Sequence, residues 1–216
     1  MPLNDELKSL HESVLDSLQP NIRKELIIEN AKLFSRFLEK KVILEGSKAP
    51  NILFRDENLA PTNLYDLLGY GHIVLSFFRG TWCPYCNLEL QALSEIKGEI
   101  NNRGAELIAI SPELHKFSHD SLKENNINFQ TYVDLGNKAA DELGLVFGLP
   151  QEYREIYRTL NVHLNKLNGS DNWTLPIPAT FIISQEGIIT ATYINADYTK
   201  RMEPNDILKQ LDMLSV

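Results

Sequence analysis

The chain has 216 residues, of which 29 are acidic and 21 basic, and its formal net charge of −8 argues against nucleic acid as the main partner. A hydrophobic fraction of 43% with 23% charged residues is near the average for folded globular chains and far from the composition of disordered ones. The apolar stretch from Ile73 to Phe78 is far shorter than the roughly 18 residues of a membrane-spanning helix, so no membrane association is expected. Asp5 and Glu6 stand where a secretory signal would carry positive charge, which makes the cytoplasm the expected location.

In chain order, Leu7, Leu10, Val14 and Leu18, then Ile22, Leu26, Phe34 and Phe37, recur at helical spacing as far as Leu38. Pro20 divides this stretch into two helices, and Glu39, Lys40 and Lys41 close the second. Gly46-Ser47-Lys48-Ala49-Pro50 reads as a connector, giving an N-terminal helical extension over 1–45 and a main domain over 46–216. The extension is expected to pack on its own domain or to form a homodimer contact, because an amphipathic helix must bury its apolar face.

Ile52 to Phe54 and His72 to Phe78 are short apolar runs bounded by turn residues, and the second has the character of a buried central strand. Pro84 suits the first turn of a helix whose apolar face carries Leu88, Ala92, Leu93 and Ile96. Ala105 to Ile110, Leu114 to Asn125 and Phe129 to Val133 follow as strand, helix and strand, an order that favours parallel pairing. After a helical stretch from Gln151 to Leu164, Phe181 to Ser184 and Ile188 to Tyr193 flank Gln185-Glu186-Gly187 as an antiparallel hairpin. A last helix spans Pro204 to Leu214, and the whole is an α/β fold with a central mixed sheet flanked by helices.

Only two cysteines occur, Cys83 and Cys86, at the predicted helix start. A helix N-terminus favours the thiolate at Cys83, and Cys86, one turn on, is close enough to attack a sulfur-bound intermediate, so the pair can run a two-electron cycle without metal. Zinc needs four ligands and there is no second Cys-x-x-Cys; His115 and His119, four apart on a predicted helix, lack a third ligand. No metal and no other cofactor is expected.

The segment Phe77-Phe78-Arg79-Gly80-Thr81-Trp82-Cys83-Pro84-Tyr85-Cys86 resembles the thioredoxin-like redoxins, specifically the peroxiredoxin-like AhpC/TSA group, and this resemblance implies a thioredoxin-like fold. In the thioredoxin register Cys83 attacks and Cys86 resolves. The peroxiredoxin pattern Pro-x-x-x-Thr-x-x-Cys-x-x-Glu falls instead on Arg79, Cys83, Cys86 and Glu89, and matches at Cys86 and Glu89 alone. Pro178-Ala179-Thr180-Phe181-Ile182-Ile183 resembles the cis-proline segment that faces the dithiol in thioredoxin folds, which makes Pro178 and Thr180 candidate site residues. The arginine that many peroxiredoxins place shortly before this segment is absent from Asn172 to Thr190.

Around the dithiol, Arg79 is a candidate for supplying positive charge or for bracing its loop, Trp82 for shielding Cys83 or for simple packing, and Thr81 for activating the site. Tyr85 is a candidate for meeting substrate, and Glu89 for proton transfer at Cys86 or for an ordinary solvated carboxylate. The resemblance implies a thiol-dependent antioxidant oxidoreductase that reduces hydroperoxides with a thioredoxin-type reductant. A protein thiol–disulfide oxidoreductase and a non-enzymatic disulfide sensor are the alternatives.

Overall fold

The computed structural model describes residues 1–37 and 42–214. Leu38 and the triplet Glu39, Lys40 and Lys41, read above as the end of the second helix, lie outside the described residues. Two helices open the chain, α1 (Leu3–Ser17) and α2 (Pro20–Phe37). They are followed by β1 (Leu53–Arg55), β2 (Pro61–Asn63), α3 (Leu64–Leu68), β3 (His72–Phe77), α4 (Pro84–Asn102), β4 (Ala105–Ser111), α5 (His115–Glu124) and β5 (Gln130–Val133). Then come α6 (Lys138–Glu142), β6 (Val146–Gly148), α7 (Gln151–Thr159), α8 (Leu164–Asn168), β7 (Thr174–Pro176), β8 (Ala179–Ile183), β9 (Ile189–Ile194) and α9 (Pro204–Asp212).

The main sheet has the order β2-β1-β5-β4-β3-β8-β9. β3, β4 and β5 pair in parallel, as the strand–helix–strand order predicts, and β8 joins β3 antiparallel before turning back into β9. One face of the sheet, through Leu75, Phe77, Ile110 and Phe181, packs on α3 and α6. The other, through Val74, Leu107 and Ile182, packs on α4 and α9 and receives Leu3 and Leu7 of α1. Burying each of those two leucines stabilises the docked helix by about 2 kcal/mol.

Two further devices tie the extension down. The Glu203 carboxylate, just before α9, accepts the otherwise unpaired backbone N–H groups of Leu3 (2.9 Å) and Asn4 (2.8 Å) at the start of α1. Leu26 and Leu33 of α2 share a core with Tyr153, Ile156 and Tyr157 of α7. The extension thus lies on its own domain.

Two expectations need correction. The helical stretch from Gln151 to Leu164 is two helices, α7 and α8, separated by a turn with Asn161 at φ +59°. Apolar residues continue at helical spacing through Ile156, Leu160 and Leu164, so periodicity alone runs across the break; asparagine tolerates the left-handed conformation that makes it. The cis bond expected before Pro178 is absent, as is any cis peptide among the described residues. The chain runs from β7 to β8 through the ordinary lower-energy trans form, with the Ile177 N–H donating to the Leu145 carbonyl at 2.9 Å.

Candidate active site

β3 ends in the middle of the sheet, and the chain turns at Arg79-Gly80-Thr81-Trp82 into α4, whose first residue is Pro84. Cys83 is the N-cap, with extended backbone angles, and its carbonyl accepts the N–H groups of Cys86 (3.0 Å) and Asn87 (3.1 Å). Gly80 adopts φ +145°, and a Cβ there would stand 2.3 Å from the Trp82 indole nitrogen, so glycine is what lets the indole fold back over the turn. The buried Glu113 carboxylate, beyond β4, accepts both the Thr81 N–H (2.7 Å) and its hydroxyl (2.9 Å). Thr81 therefore braces the turn through Glu113.

Both cysteines are free and 0% exposed. Arg79, itself buried, donates from Nη2 to Cys83 Sγ at 2.9 Å and from Nη1 to the Tyr157 hydroxyl at 3.1 Å. Its guanidinium lies 3.9 Å from the centre of the Tyr198 ring and 5.2 Å from that of Trp82, sandwiched as a cation against aromatic faces. Among the described residues no carboxylate pairs with Arg79, so the Cys83 sulfur is its counter-charge. Burial pushes the Cys83 thiol up, yet the hydrogen bond from Cys86, the charges of Arg79 and Arg201 and the bond from Arg79 together hold it well below the usual thiol range. Burial and the neighbouring thiolate push Cys86 the other way, well above it.

Under Cys86 lies a second charged pair that sequence reasoning missed. Arg201, beyond β9, bonds through Nε to Glu89 Oε2, and its Nη2 reaches Cys86 Sγ at 3.6 Å. Both partners are buried, and Glu89 Oε1 also stands 3.5 Å from the Ser76 hydroxyl. Glu89 is thus a buried member of the dithiol's surroundings rather than a solvated helix carboxylate. Burial pushes its carboxyl up to about 7 against the pull of Arg201. Thr180 is buried opposite Ser76 in the β3–β8 register, on the sheet face under Glu89, and buried Pro178 precedes Ala179, the partner of Phe77 where β3 ends.

The roof of the site is aromatic. Trp82 meets Tyr157 edge-on at 5.3 Å and Tyr85 meets Tyr198 at 5.6 Å. The Tyr85 hydroxyl, read above as available to substrate, is engaged with His11 Nδ1 of α1 at 2.9 Å. Asn30 of α2 donates to the Tyr198 hydroxyl at 3.0 Å and accepts from that of Tyr153. His115 and His119 sit on α5 with ring centres 5.4 Å apart, and among the described residues no group of three or more metal-ligating side chains forms.

A family model described as AhpC/TSA matches residues 46–192. The chain belongs to the AhpC/TSA family. As an AhpC/TSA protein with a paired dithiol, it is a thiol oxidoreductase. It is 26% identical over 178 residues to thiol-disulfide oxidoreductase ResA of Bacillus subtilis (strain 168), covering 79% of this chain and 82% of that one. ResA of Geobacillus kaustophilus (strain HTA426) is 27% identical over 171 residues, with 77% and 81% covered. The fold is shared with peroxidoxin BcpB from Mycobacterium tuberculosis (TM-score 0.61, 17% identity, 79% of this chain and 97% of that one). It is shared equally with a peroxiredoxin-like protein from Aquifex aeolicus (TM-score 0.62, 16% identity, 81% and 89% covered).

Proposed function

We propose that this AhpC/TSA protein is a thiol–disulfide oxidoreductase in which Cys83 attacks, Cys86 resolves, and an external dithiol returns the pair to its reduced form. The observation that carries this reading is the Arg79 guanidinium at 2.9 Å from Cys83 Sγ, with burial and the neighbouring sulfur pushing Cys86 well above the usual thiol range. Similarity to the ResA proteins along most of their length supports the same chemistry.

The cycle balances as follows. The Cys83 thiolate forms a bond to one sulfur of the substrate disulfide, and the other sulfur leaves as a thiolate. Cys86 then gives its proton to the Glu89 carboxylate, attacks Cys83 Sγ, and expels the second substrate thiolate. Two electrons have passed from the dithiol to the substrate, and the product is the Cys83–Cys86 disulfide. Arg201, bonded to Glu89 and reaching Cys86, holds donor and acceptor of that proton together.

A second reading, hydroperoxide reduction at the same thiolate, is favoured by the complete enclosure of both sulfurs, which suits a small oxidant. Mixing the reduced protein with bis(2-hydroxyethyl) disulfide, and separately with hydrogen peroxide, tests both. The proposal expects disulfide exchange about tenfold or more faster than free cysteine achieves at neutral pH, where only a few per cent of it is thiolate. Exchange no faster than free cysteine overturns it, and fast peroxide oxidation with slow exchange puts the second reading in its place.

A further inference from the structure

A cavity of about 280 Å³ opens between α1, α2 and the loop after β9, lined by His11, Ile27, Asn30, Ala196, Tyr198 and Thr199 among others. Its volume lies just below the range of about 300–1,000 Å³ for drug-sized ligands, which suits a smaller molecule. Two buried side chains in series, Tyr198 and Arg79, link the cavity to the dithiol. Tyr198 faces it on one side, stacks its ring on the Arg79 guanidinium on the other, and Arg79 in turn bonds Cys83 Sγ.

Two observations bear on how these side chains could open. The Tyr198 hydroxyl is held to α2 by one hydrogen bond, donated by Asn30, and that of its neighbour Tyr85 to α1 by one, shared with His11 Nδ1; Asn30 and His11 both line the cavity. Behind Tyr198, the buried Arg79 Nε has no hydrogen-bond partner among the described residues, nor does the Trp82 indole nitrogen. Buried donors left unpaired beside a nucleophile are costly unless an incoming acceptor uses them.

We propose that this cavity is the entry site of a small oxidant with a reactive S–S or O–O bond, and that Tyr198 is the gate through which it reaches Cys83. The inference rests on Cys83 being the attacking sulfur and adds the substrate class. With a small disulfide, Cys83 bonds to one sulfur and the other leaves as a thiolate. With a hydroperoxide, Cys83 bonds to the terminal oxygen, the O–O bond breaks, and the alkoxide leaves and takes a proton from water; Cys86 then displaces hydroxide from Cys83, its own proton completing water. The Arg79 Nε–H meets the acceptor atom of either oxidant as it arrives.

The test compares bis(2-hydroxyethyl) disulfide, tert-butyl hydroperoxide and insulin as oxidants of the reduced full-length protein, read by loss of the ultraviolet thiolate absorbance. Insulin is expected to react about tenfold or more slowly per disulfide than the small disulfide, since it cannot enter. Ile27, on the cavity rim and 49% exposed, is replaced in Ile27→Trp, which fills the cavity without touching the dithiol. That variant should lose about tenfold or more of its rate with whichever small oxidant reacts, with the thiolate titration unmoved. Asn30→Ala, which unfastens Tyr198, should narrow the gap between insulin and the small disulfide. Unchanged small-oxidant rates in Ile27→Trp, or insulin as fast as the small disulfide in the unaltered protein, overturn the proposal. Undiminished oxidation in Cys83→Ser would instead count against the attacking-sulfur reading on which it rests.

Discussion

Cys83 and Cys86 differ in one respect that sets the order of events in the proposed cycle: Arg79 lies against the first, and Glu89, held by Arg201, is the proposed proton acceptor for the second. A carboxyl with its pKa raised to about 7 accepts a proton only once ionised, so resolution of a mixed disulfide should accelerate as pH rises through about 7 and level off above it. Glu89→Gln should remove that inflection and slow resolution at pH 8 by about 10- to 100-fold, measured by release of the second thiol in single turnover. A profile unchanged in the variant would remove Glu89 from the proton path. The dithiol was legible in the sequence because two sulfurs at that spacing are rare and chemically specific. Arg201 was not, because 115 positions separate it from Cys86 and a polar loop after a hairpin carries no local sign that it folds under α4. An arginine sought ahead of Thr180 is replaced by one that arrives after β9.

At the level of elements, α1 and α2 act as a cover for the site as well as an extension of the core. The buried Leu7 packs into the same cluster as Cys83, Cys86 and Tyr198, so Leu7→Ala should destabilise the protein by about 3 kcal/mol in denaturant titration. The same variant should raise the alkylation rate of Cys83 by loosening the cover; an unchanged rate with lowered stability would show that α1 only supports the fold. Helical spacing from Leu7 onward was enough to read both helices, and the long apolar runs gave β3 and β4. The short β2, β6 and β7, three residues each, escaped because their pairing is decided by partners distant in the chain. What covers what was equally hidden: the clasps His11–Tyr85 and Asn30–Tyr198 join residues 74 and 168 positions apart.

For the redox state of the molecule, what counts is the buried charge at the dithiol, which pairs off in the reduced state with Arg79 against the Cys83 thiolate and Arg201 against Glu89. Forming the disulfide removes the thiolate and leaves Arg79 buried without its counter-charge, which disfavours the oxidised form. The reduction potential should therefore be more positive than the roughly −270 mV of thioredoxin, measured against a glutathione or dithiothreitol buffer, so that a small dithiol readily reduces the pair. A potential at or below that of thioredoxin would mean that Arg79 is compensated equally well in both states. Most direct of all is to trap the covalent intermediate with a small disulfide in the two single-serine variants. Cys86→Ser should accumulate a stable mixed disulfide at Cys83, seen as the added mass of one substrate half, while Cys83→Ser should not react; accumulation at Cys86 in Cys83→Ser, with none in Cys86→Ser, would contradict the assignment.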